Sequence, residues 1–160
     1  MIRIAVVSDT HSRKIPAEVV SVLKKADMIV HAGDVCDAQT LKAFEKIGEV
    51  KAVCGNMDEG SIRKKLPERC FLDIGEIRVG VMHGEGSPDM VLKRIVEEFA
   101  GEDVDVVVFG HSHKPCTERV GGILYINPGS LTDDIFAPYR SYALLEVEGK
   151  TVNARIVRVS

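Results

Sequence analysis

Val104-Asp105-Val106-Val107-Val108-Phe109-Gly110-His111-Ser112-His113 is the stretch from which the fold of this chain is best argued. Its first six residues are almost continuously apolar and rich in β-branched side chains, a pattern that predicts a strand buried on both faces. Two histidines, one residue apart, follow directly. Gly110 is expected to allow backbone angles that a residue with a side chain would resist, which tightens the turn so that both imidazoles enter one cavity.

Other predicted strands are also followed by polar residues that suit metal binding. These are Asp9 and His11 after Ile2–Val7, Asp34 after Met28–Ala32, Asn56 after Val50–Cys54, and His83 after Ile77–Met82. Of the five histidines in the chain, four lie at such strand ends. Open α/β sheets place their ligand crevices at the carboxyl ends of neighbouring strands, so these side chains are expected to converge.

The order of the predicted elements indicates an α/β fold. Strands at 1–7, 28–32 and 50–54 alternate with helices at 16–25 and 37–47, which predicts a parallel sheet with right-handed crossovers. After a short helical turn before residue 67, three hairpins follow, turning at 75–76, 121–122 and 148–149. Ser87-Pro88-Asp89 predicts the start of a further helix that runs to about residue 100. Two packed sheets with helices outside are therefore expected, in a single domain of residues 1–160.

Composition narrows the classes of function. A net charge of −3 gives no whole-protein sign of binding a polyanion, so nucleic acid is not an expected partner. No apolar run approaches the ~20 residues that span a bilayer, and the N-terminal run is too short for a signal peptide, so we expect no membrane association and a cytoplasmic location. Oligomeric state stays open, a homo-oligomer included. The four cysteines lack paired spacing and are expected to be reduced thiols, with Cys36 the one considered as a ligand.

A metal cluster would explain why so many polar residues converge. Carboxylates and imidazoles that meet at one edge repel or stay unsatisfied without a cation between them. The candidates are too many for one tetrahedral ion and suit two: Asp9, His11, Asp34, Asn56, His83, His111 and His113. Two ions about 3.5–4 Å apart need a bridging carboxylate, and solvent between them can become a nucleophilic hydroxide near neutral pH. Each motif alone is weak, but together they predict in-line attack on phosphorus.

In order and spacing the motifs resemble the calcineurin-like metallophosphoesterase superfamily, specifically its small single-domain phosphodiesterase branch. The matching segments are Asp9-x-His11, Gly33-Asp34, Gly55-Asn56, His83-Gly84, Gly110-His111-Ser112-His113 and Asn127-Pro128-Gly129-Ser130. The resemblance implies a two-sheet αββα sandwich and hydrolysis of a small phosphoester, with Asp34, His83 and His111 as catalytic residues. It also implies one metal on Asp9, His11 and His113, another on Asn56, His83 and His111, and Asp34 bridging them. Mn²⁺ is the first choice, with Fe²⁺, Ni²⁺, Zn²⁺ and Mg²⁺ as alternatives.

One position departs from the family pattern. Many members carry a histidine after the Gly-Asn pair, where it acts as a general acid, whereas this chain has Met57. Methionine cannot donate a proton, so poor leaving groups are expected to depart slowly. Two alternatives stay open: a non-catalytic interaction scaffold like the retromer subunit of this fold, and a nuclease of the superfamily, although no basic groove or capping segment is visible.

Three further features have a structural and a functional interpretation. His31 is expected to be a hydrogen-bonded structural histidine rather than a support for the ligands. Asp58 is either an acceptor behind the ligands or an ordinary turn residue. The run Arg63-Lys64-Lys65 is interpreted as a solvated face, with contact to substrate phosphate as the less favoured alternative.

Overall fold

Ten strands and four helices follow one another along the chain, and the structure, a computed structural model, describes residues 1–160. The strands are β1 (Ile2–Val7), β2 (Met28–His31), β3 (Val50–Ala52), β4 (Arg69–Ile74), β5 (Ile77–Met82), β6 (Val106–Val108), β7 (Cys116–Val120), β8 (Ile123–Asn127), β9 (Ser141–Glu148) and β10 (Thr151–Arg158). The helices are α1 (Ala17–Lys25), α2 (Ala38–Glu45), α3 (Gly60–Lys65) and α4 (Val91–Glu98).

The strands form two mixed sheets of five. The first has the order β10-β9-β1-β2-β3, in which β1, β2 and β3 are parallel and the C-terminal hairpin is added antiparallel beside β1. The second has the order β4-β5-β6-β8-β7, in which β5, β6 and β8 are parallel. Each sheet therefore contains three neighbouring parallel strands, which directs several strand ends to the same edge.

The predicted αββα sandwich is confirmed by how the buried residues cluster. Apolar side chains of the first sheet, such as Val6, interdigitate with those of the second, such as Val108, in one core between the sheets. On the outer face of the first sheet, α1 and α2 pack through Leu23 and Phe44. On the outer face of the second, α4 packs through Ile95. Burial of alternate residues on both sides explains why the central strands are apolar throughout.

The helix starts were predicted with mixed success. Asp37 caps α2, accepting a hydrogen bond from the Thr40 amide at 2.8 Å as its position suggested. The start of α4 was placed too early, at Ser87. Residues 87–90 instead form a turn closed by the Met90 amide on the Ser87 carbonyl at 2.9 Å, and the helix begins at Val91. Val91 is the first residue buried against the second sheet, so tertiary packing sets the start.

Two other expectations concern helices and thiols. The longest helix, α1, has nine residues, and no helix in the chain meets the length and apolarity that crossing a bilayer requires. All four cysteines are free thiols, as predicted.

Candidate metal centre

The seven predicted ligands meet at one end of the sandwich, on loops that are hydrogen-bonded to one another. The Asp9 amide donates to the Gly33 carbonyl at 3.0 Å, and the His11 amide donates to the Asp34 carbonyl at 3.0 Å. Within the second sheet, the Gly110 amide donates to the His83 carbonyl of the loop after β5 at 3.0 Å. The His111 amide links the two sheets by donating to Asp9 Oδ2 at 3.0 Å. Hydrogen bonds thus hold the ligand loops together before any ion is considered.

Five of the seven residues have left-handed backbone conformations. Their φ angles lie between 47° and 70°, at Asp9, His11, Asp34, His111 and His113. Residues with side chains adopt this region at a cost of order 1–3 kcal/mol each, and they do so mainly at functional sites where the surroundings enforce it. The strain therefore indicates that these loops are shaped by what their side chains do.

Glycines allow the loops to approach closely. A Cβ atom on Gly110 would lie 2.2 Å from Ser8 Oγ, and one on Gly55 would lie 2.2 Å from Asp34 Oδ1. The backbone of Gly110 is not left-handed, so the predicted reason for glycine at this position, unusual backbone angles, was wrong. Glycine is required there because no side chain fits.

The first group of side chains consists of Asp9, His11 and His113, whose ligand atoms all lie within 4.8 Å of one another. His113 Nε2 is 3.4 Å and His11 Nε2 is 3.8 Å from Asp9 Oδ1, and the two Nε2 atoms are 3.2 Å apart. Asp9 Oδ2 accepts from the Ser8 hydroxyl at 2.7 Å, whereas Oδ1 is buried and has no hydrogen-bond partner. An unpartnered buried carboxylate oxygen between imidazoles fits a bound cation.

The second group consists of Asp34, His83 and His111, again within 4.8 Å, with Asn56 beside it. Asp34 Oδ2 is 3.2 Å from His83 Nε2. Asn56 Oδ1 is 3.1 Å from His83 Nε2 and 3.2 Å from His111 Nδ1. Asp34 Oδ2 also lies 3.7 Å from His11 Nε2 of the first group, so this carboxylate is placed between the two groups.

Main-chain carbonyls behind two of the imidazoles determine which nitrogen each can offer. His83 Nδ1 lies 2.7 Å from the Ala32 carbonyl, and His111 Nε2 lies 2.8 Å from the Gly86 carbonyl. Because a carbonyl only accepts, each of these nitrogens carries the hydrogen. The lone pairs of His83 Nε2 and His111 Nδ1 are therefore left for a metal.

Asp133 is a functional residue that sequence reasoning missed. Its Oδ2 lies 2.6 Å from His113 Nδ1, so the carboxylate holds that nitrogen protonated and leaves Nε2 free. The same carboxylate accepts the amides of residues 135–137 and is itself buried. Asp133 lies in an irregular segment after β8, and the only signal available was an acidic pair shortly after the Asn127-Pro128-Gly129-Ser130 motif.

The charges of the metal-free site show what a cation would replace. Burial alone would lower the pKa of His83, but Asp9 and Asp34 outweigh it and raise that pKa to about 9. The Asp9 carboxylate 3.4 Å away, reinforced by Asp133, raises the pKa of His113 to about 9. Burial would raise the pKa of Asp9, but His83 and His113 hold it at about 2. In the metal-free site, the protonated imidazoles of His83 and His113 therefore balance the negative charge of the carboxylates. The oxygen and imidazole donors suit divalent ions, which would replace those protons.

His31 and Cys36 do not join either group. His31 is buried and structural, as expected, with Nδ1 accepting from the Gly33 amide at 3.1 Å and Nε2 3.0 Å from Thr10 Oγ1, and burial lowers its pKa to about 4. Cys36 Sγ lies 3.7 Å from His11 Nδ1. Burial, with nearby carboxylates, raises the pKa of that thiol to about 11, so it is neutral in the metal-free fold.

Asp58 and Arg63 support the ligand loops. The Asp58 carboxylate accepts the amides of Asp34 at 3.2 Å and Gly55 at 2.6 Å, which makes it an acceptor behind the ligands rather than an ordinary turn residue. Arg63 is exposed, as the predicted solvated face requires, and it also donates to the carbonyls of Asn56 and Asp58 at 2.7 Å and 3.1 Å. The two lysines that follow it are exposed, as predicted.

Comparison with known proteins agrees with this geometry. The calcineurin-like phosphoesterase superfamily domain matches residues 2–150. A probable metallophosphoesterase of Methanocaldococcus jannaschii is 34% identical, over 98% of this chain and 81% of that protein. Wild-type Vps29 of Entamoeba histolytica, solved in complex with Zn²⁺, has a TM-score of 0.79 and 25% identity, covering 98% of this chain and 99% of that one. A Thermotoga maritima protein solved by NMR has a TM-score of 0.76 and 31% identity, covering 99% of this chain and 100% of that one.

This chain belongs to the calcineurin-like phosphoesterase superfamily, a metal-using class of hydrolases. The predicted family and fold are confirmed, and the structure contains two groups of side chains that could each hold a metal ion.

Proposed function

We propose that the chain is a phosphodiesterase that uses two divalent metal ions. The observation that carries the proposal is the buried Asp9 Oδ1, which has no hydrogen-bond partner and lies between imidazoles of both groups. In this proposal one ion would be held by Asp9, His11 and His113, the other by Asn56, His83 and His111, and Asp34 would serve both. Mn²⁺ is the proposed metal, on the basis of the family resemblance and the donor types.

Bound divalent ions supply the activation of water for in-line attack on phosphorus and neutralise charge that develops on the phosphoryl oxygens. The residues of the chain contribute by fixing donors in place before substrate arrives. Asp34 is oriented by the Met57 amide, which donates to Oδ1 at 2.8 Å and leaves Oδ2 toward both groups. His83 and His111 are held as single tautomers by carbonyls, and with Asp34 they are the proposed catalytic residues.

The leaving group receives no proton from the loop after β3. Met57 occupies the position of the general acid in many family members, and its side chain is 58% exposed. General acid assistance is typically worth about 10²–10⁴-fold, so we expect aryl esters to be hydrolysed well and alkyl esters poorly.

An interaction scaffold is the second candidate, and the likeness to Vps29 favours it. Against it stands the strained backbone at five proposed ligands, which a surface used only for docking does not need. The net charge of −3 disfavours a nuclease. We therefore propose a small phosphoester as the ligand and a single cytoplasmic domain as the working unit.

Metal analysis combined with hydrolysis assays tests the proposal. We expect about two ions per chain, faster hydrolysis of a bis-aryl diester than of an aryl monoester, and loss of activity with a chelator that Mn²⁺ reverses. Two bound ions with no hydrolysis of either ester would favour the scaffold. Faster hydrolysis of the monoester would contradict the assignment as a diesterase.

A further inference from the structure

Arg63 carries a positive charge beside the metal centre that no carboxylate neutralises. Its Nη2 donates to the Asn56 carbonyl and its Nε to the Asp58 carbonyl, and it forms no salt bridge. Both acceptors are main-chain carbonyls, which accept N–H groups of the guanidinium but have no net charge to offset its positive charge. A guanidinium presents five donors in a planar fork, so capacity remains for an anion such as a phosphoryl oxygen.

A cavity of about 210 Å³ opens at this guanidinium. Its wall also includes Asn56 and His83, both proposed ligands of the second ion. The cavity is therefore continuous with the metal centre. A group bonded to a phosphorus atom at that centre would therefore lie next to this cavity.

The size and charge of the cavity limit what it can accept. Its volume is below the roughly 300–1,000 Å³ of sites that enclose drug-sized ligands. Glu68 and Glu85 line the same wall and are exposed. Glu85 pairs with Arg94 at 3.5 Å, whereas Glu68 forms no salt bridge, so Glu68 in particular repels groups that bring additional negative charge. One cationic residue near the metal centre and two acidic residues around the cavity suit a compact group joined to a single anionic phosphate.

We propose that this cavity binds one ester group of the substrate. We also propose that Arg63 contacts an oxygen of the phosphoryl group that carries this ester. The substrate class is then a compact phosphodiester with one negative charge, rather than a polyphosphate or an oligonucleotide. This inference rests on the proposed function and deepens it. It assigns Arg63 as a substrate-binding residue in addition to its contacts with the loop after β3.

Binding of inorganic phosphate to the Mn²⁺-loaded protein tests the role of Arg63 without any turnover. Phosphate is titrated by calorimetry into the wild type, Arg63→Gln, Arg63→Lys and the control Lys64→Gln. The Mn²⁺ affinity of each protein is also measured. Hydrogen bonds to charged groups contribute about 1.5–3 kcal/mol, so we expect phosphate to bind roughly 10–150-fold more weakly to Arg63→Gln. Lysine at this position, a point charge without the fork, should be intermediate. Lys64→Gln, an equal charge change one residue away on α3, should stay within about twofold.

Two results would overturn the role of Arg63. One is phosphate affinity of Arg63→Gln within about twofold of the wild type. The other is a fall in Mn²⁺ affinity by the same factor as the fall in phosphate affinity, because that would mean that Arg63 only holds the loop that carries Asn56. Unchanged Mn²⁺ affinity with weakened phosphate binding supports direct contact.

The acidic wall is tested with a Glu68→Gln/Glu85→Gln double variant and two aryl diesters, one with a methyl group as second ester and one whose second ester carries an additional phosphate. We expect the ratio of kcat/KM for the charged over the methyl diester to rise about tenfold or more. An unchanged ratio would refute the proposed selection by charge. If neither the wild type nor any variant hydrolyses the diesters while phosphate binding still depends on Arg63, the proposed function is refuted instead.

Discussion

The two groups of candidate ligands differ in what supports their histidines. In the second group, His83 and His111 are held by main-chain carbonyls of Ala32 and Gly86. In the first group, His113 is held by the side-chain carboxylate of Asp133. Every residue has a main-chain carbonyl, so substitution of Ala32 or Gly86 leaves that acceptor in place. The carboxylate behind His113 is lost when Asp133 is replaced by a residue without one. The second group is therefore secured by the fold, and the first by a single side chain that a mutation can remove.

The two carboxylates are alike in lying near imidazoles of both groups. Asp34 Oδ2 is within 3.7 Å of imidazole nitrogens from both groups, at His83 and His11. The unpartnered Asp9 Oδ1 lies 3.4 Å from His113 Nε2 and 3.7 Å from His83 Nε2. From the family resemblance we expect Asp34 to serve both ions and Asp9 to serve mainly one, and mutations can separate these roles.

Asp34→Asn should have the largest effect. Loss of the bridging charge weakens both ions, so metal content should fall toward zero and diester hydrolysis should fall by about a thousandfold or more. Asp9→Asn should lower the occupancy of mainly one of the two ions. Metal analysis and initial rates are the measurements, with Asp73→Asn on the exposed end of β4 as the control. Two retained ions and near-normal rate in Asp34→Asn would contradict the bridging assignment.

Asp133→Asn should weaken metal binding at the first group only. Removing a carboxylate behind a ligating histidine typically lowers metal affinity about 10–100-fold, and the second group keeps its carbonyl supports. At limiting Mn²⁺ the variant should hold about one ion per chain. Asp134→Asn is a matched control, since Asp134 is 68% exposed and meets only Arg13 at 3.4 Å. Equal loss from both groups would show that the two are not supported independently.

Metal binding should release one proton from each group. His83 and His113 have pKa values of about 9 in the metal-free fold, above the 6.5 of unfolded histidine, so both are protonated at pH 7. Their contribution to metal-free stability is full below pH 6.5 and is lost as pH rises through 9. Because a ligating imidazole must be neutral, the affinity of each ion should rise about tenfold per pH unit up to pH ~9. Calorimetry in buffers of different ionisation enthalpy measures the protons released, and none released at pH 7 would contradict this.

Met57→His should have the smallest effect. An imidazole at this position could protonate a departing alkoxide, so alkyl esters should gain more than aryl esters, by less than about tenfold. The slope of log rate against leaving-group pKa should become shallower, provided that metal content is unchanged. A shallow slope already present in the wild type would mean that another group donates the proton.

Much of the site followed from the sequence because its signals are local. Apolar runs ended by Asp9, Asp34 or His83 predicted both the strands and the residues at their ends. A buried strand and the polar residue that follows it are adjacent in the chain. The parallel order of the first strands then required the ends at Asp9 and Asp34 to lie together.

Tertiary structure alone decided the remaining features, because each depends on residues distant in sequence. The C-terminal hairpin pairs beside β1, about 140 residues away in the chain, and no local pattern selects that partner. Asp133 meets His113 only because the segment after β8 folds back over the loop after β6. The need for Gly110 comes from Ser8, which follows β1 of the other sheet. Local periodicity thus determined the elements and the donors, whereas long-range packing determined which nitrogen each histidine offers and which residues stand behind it.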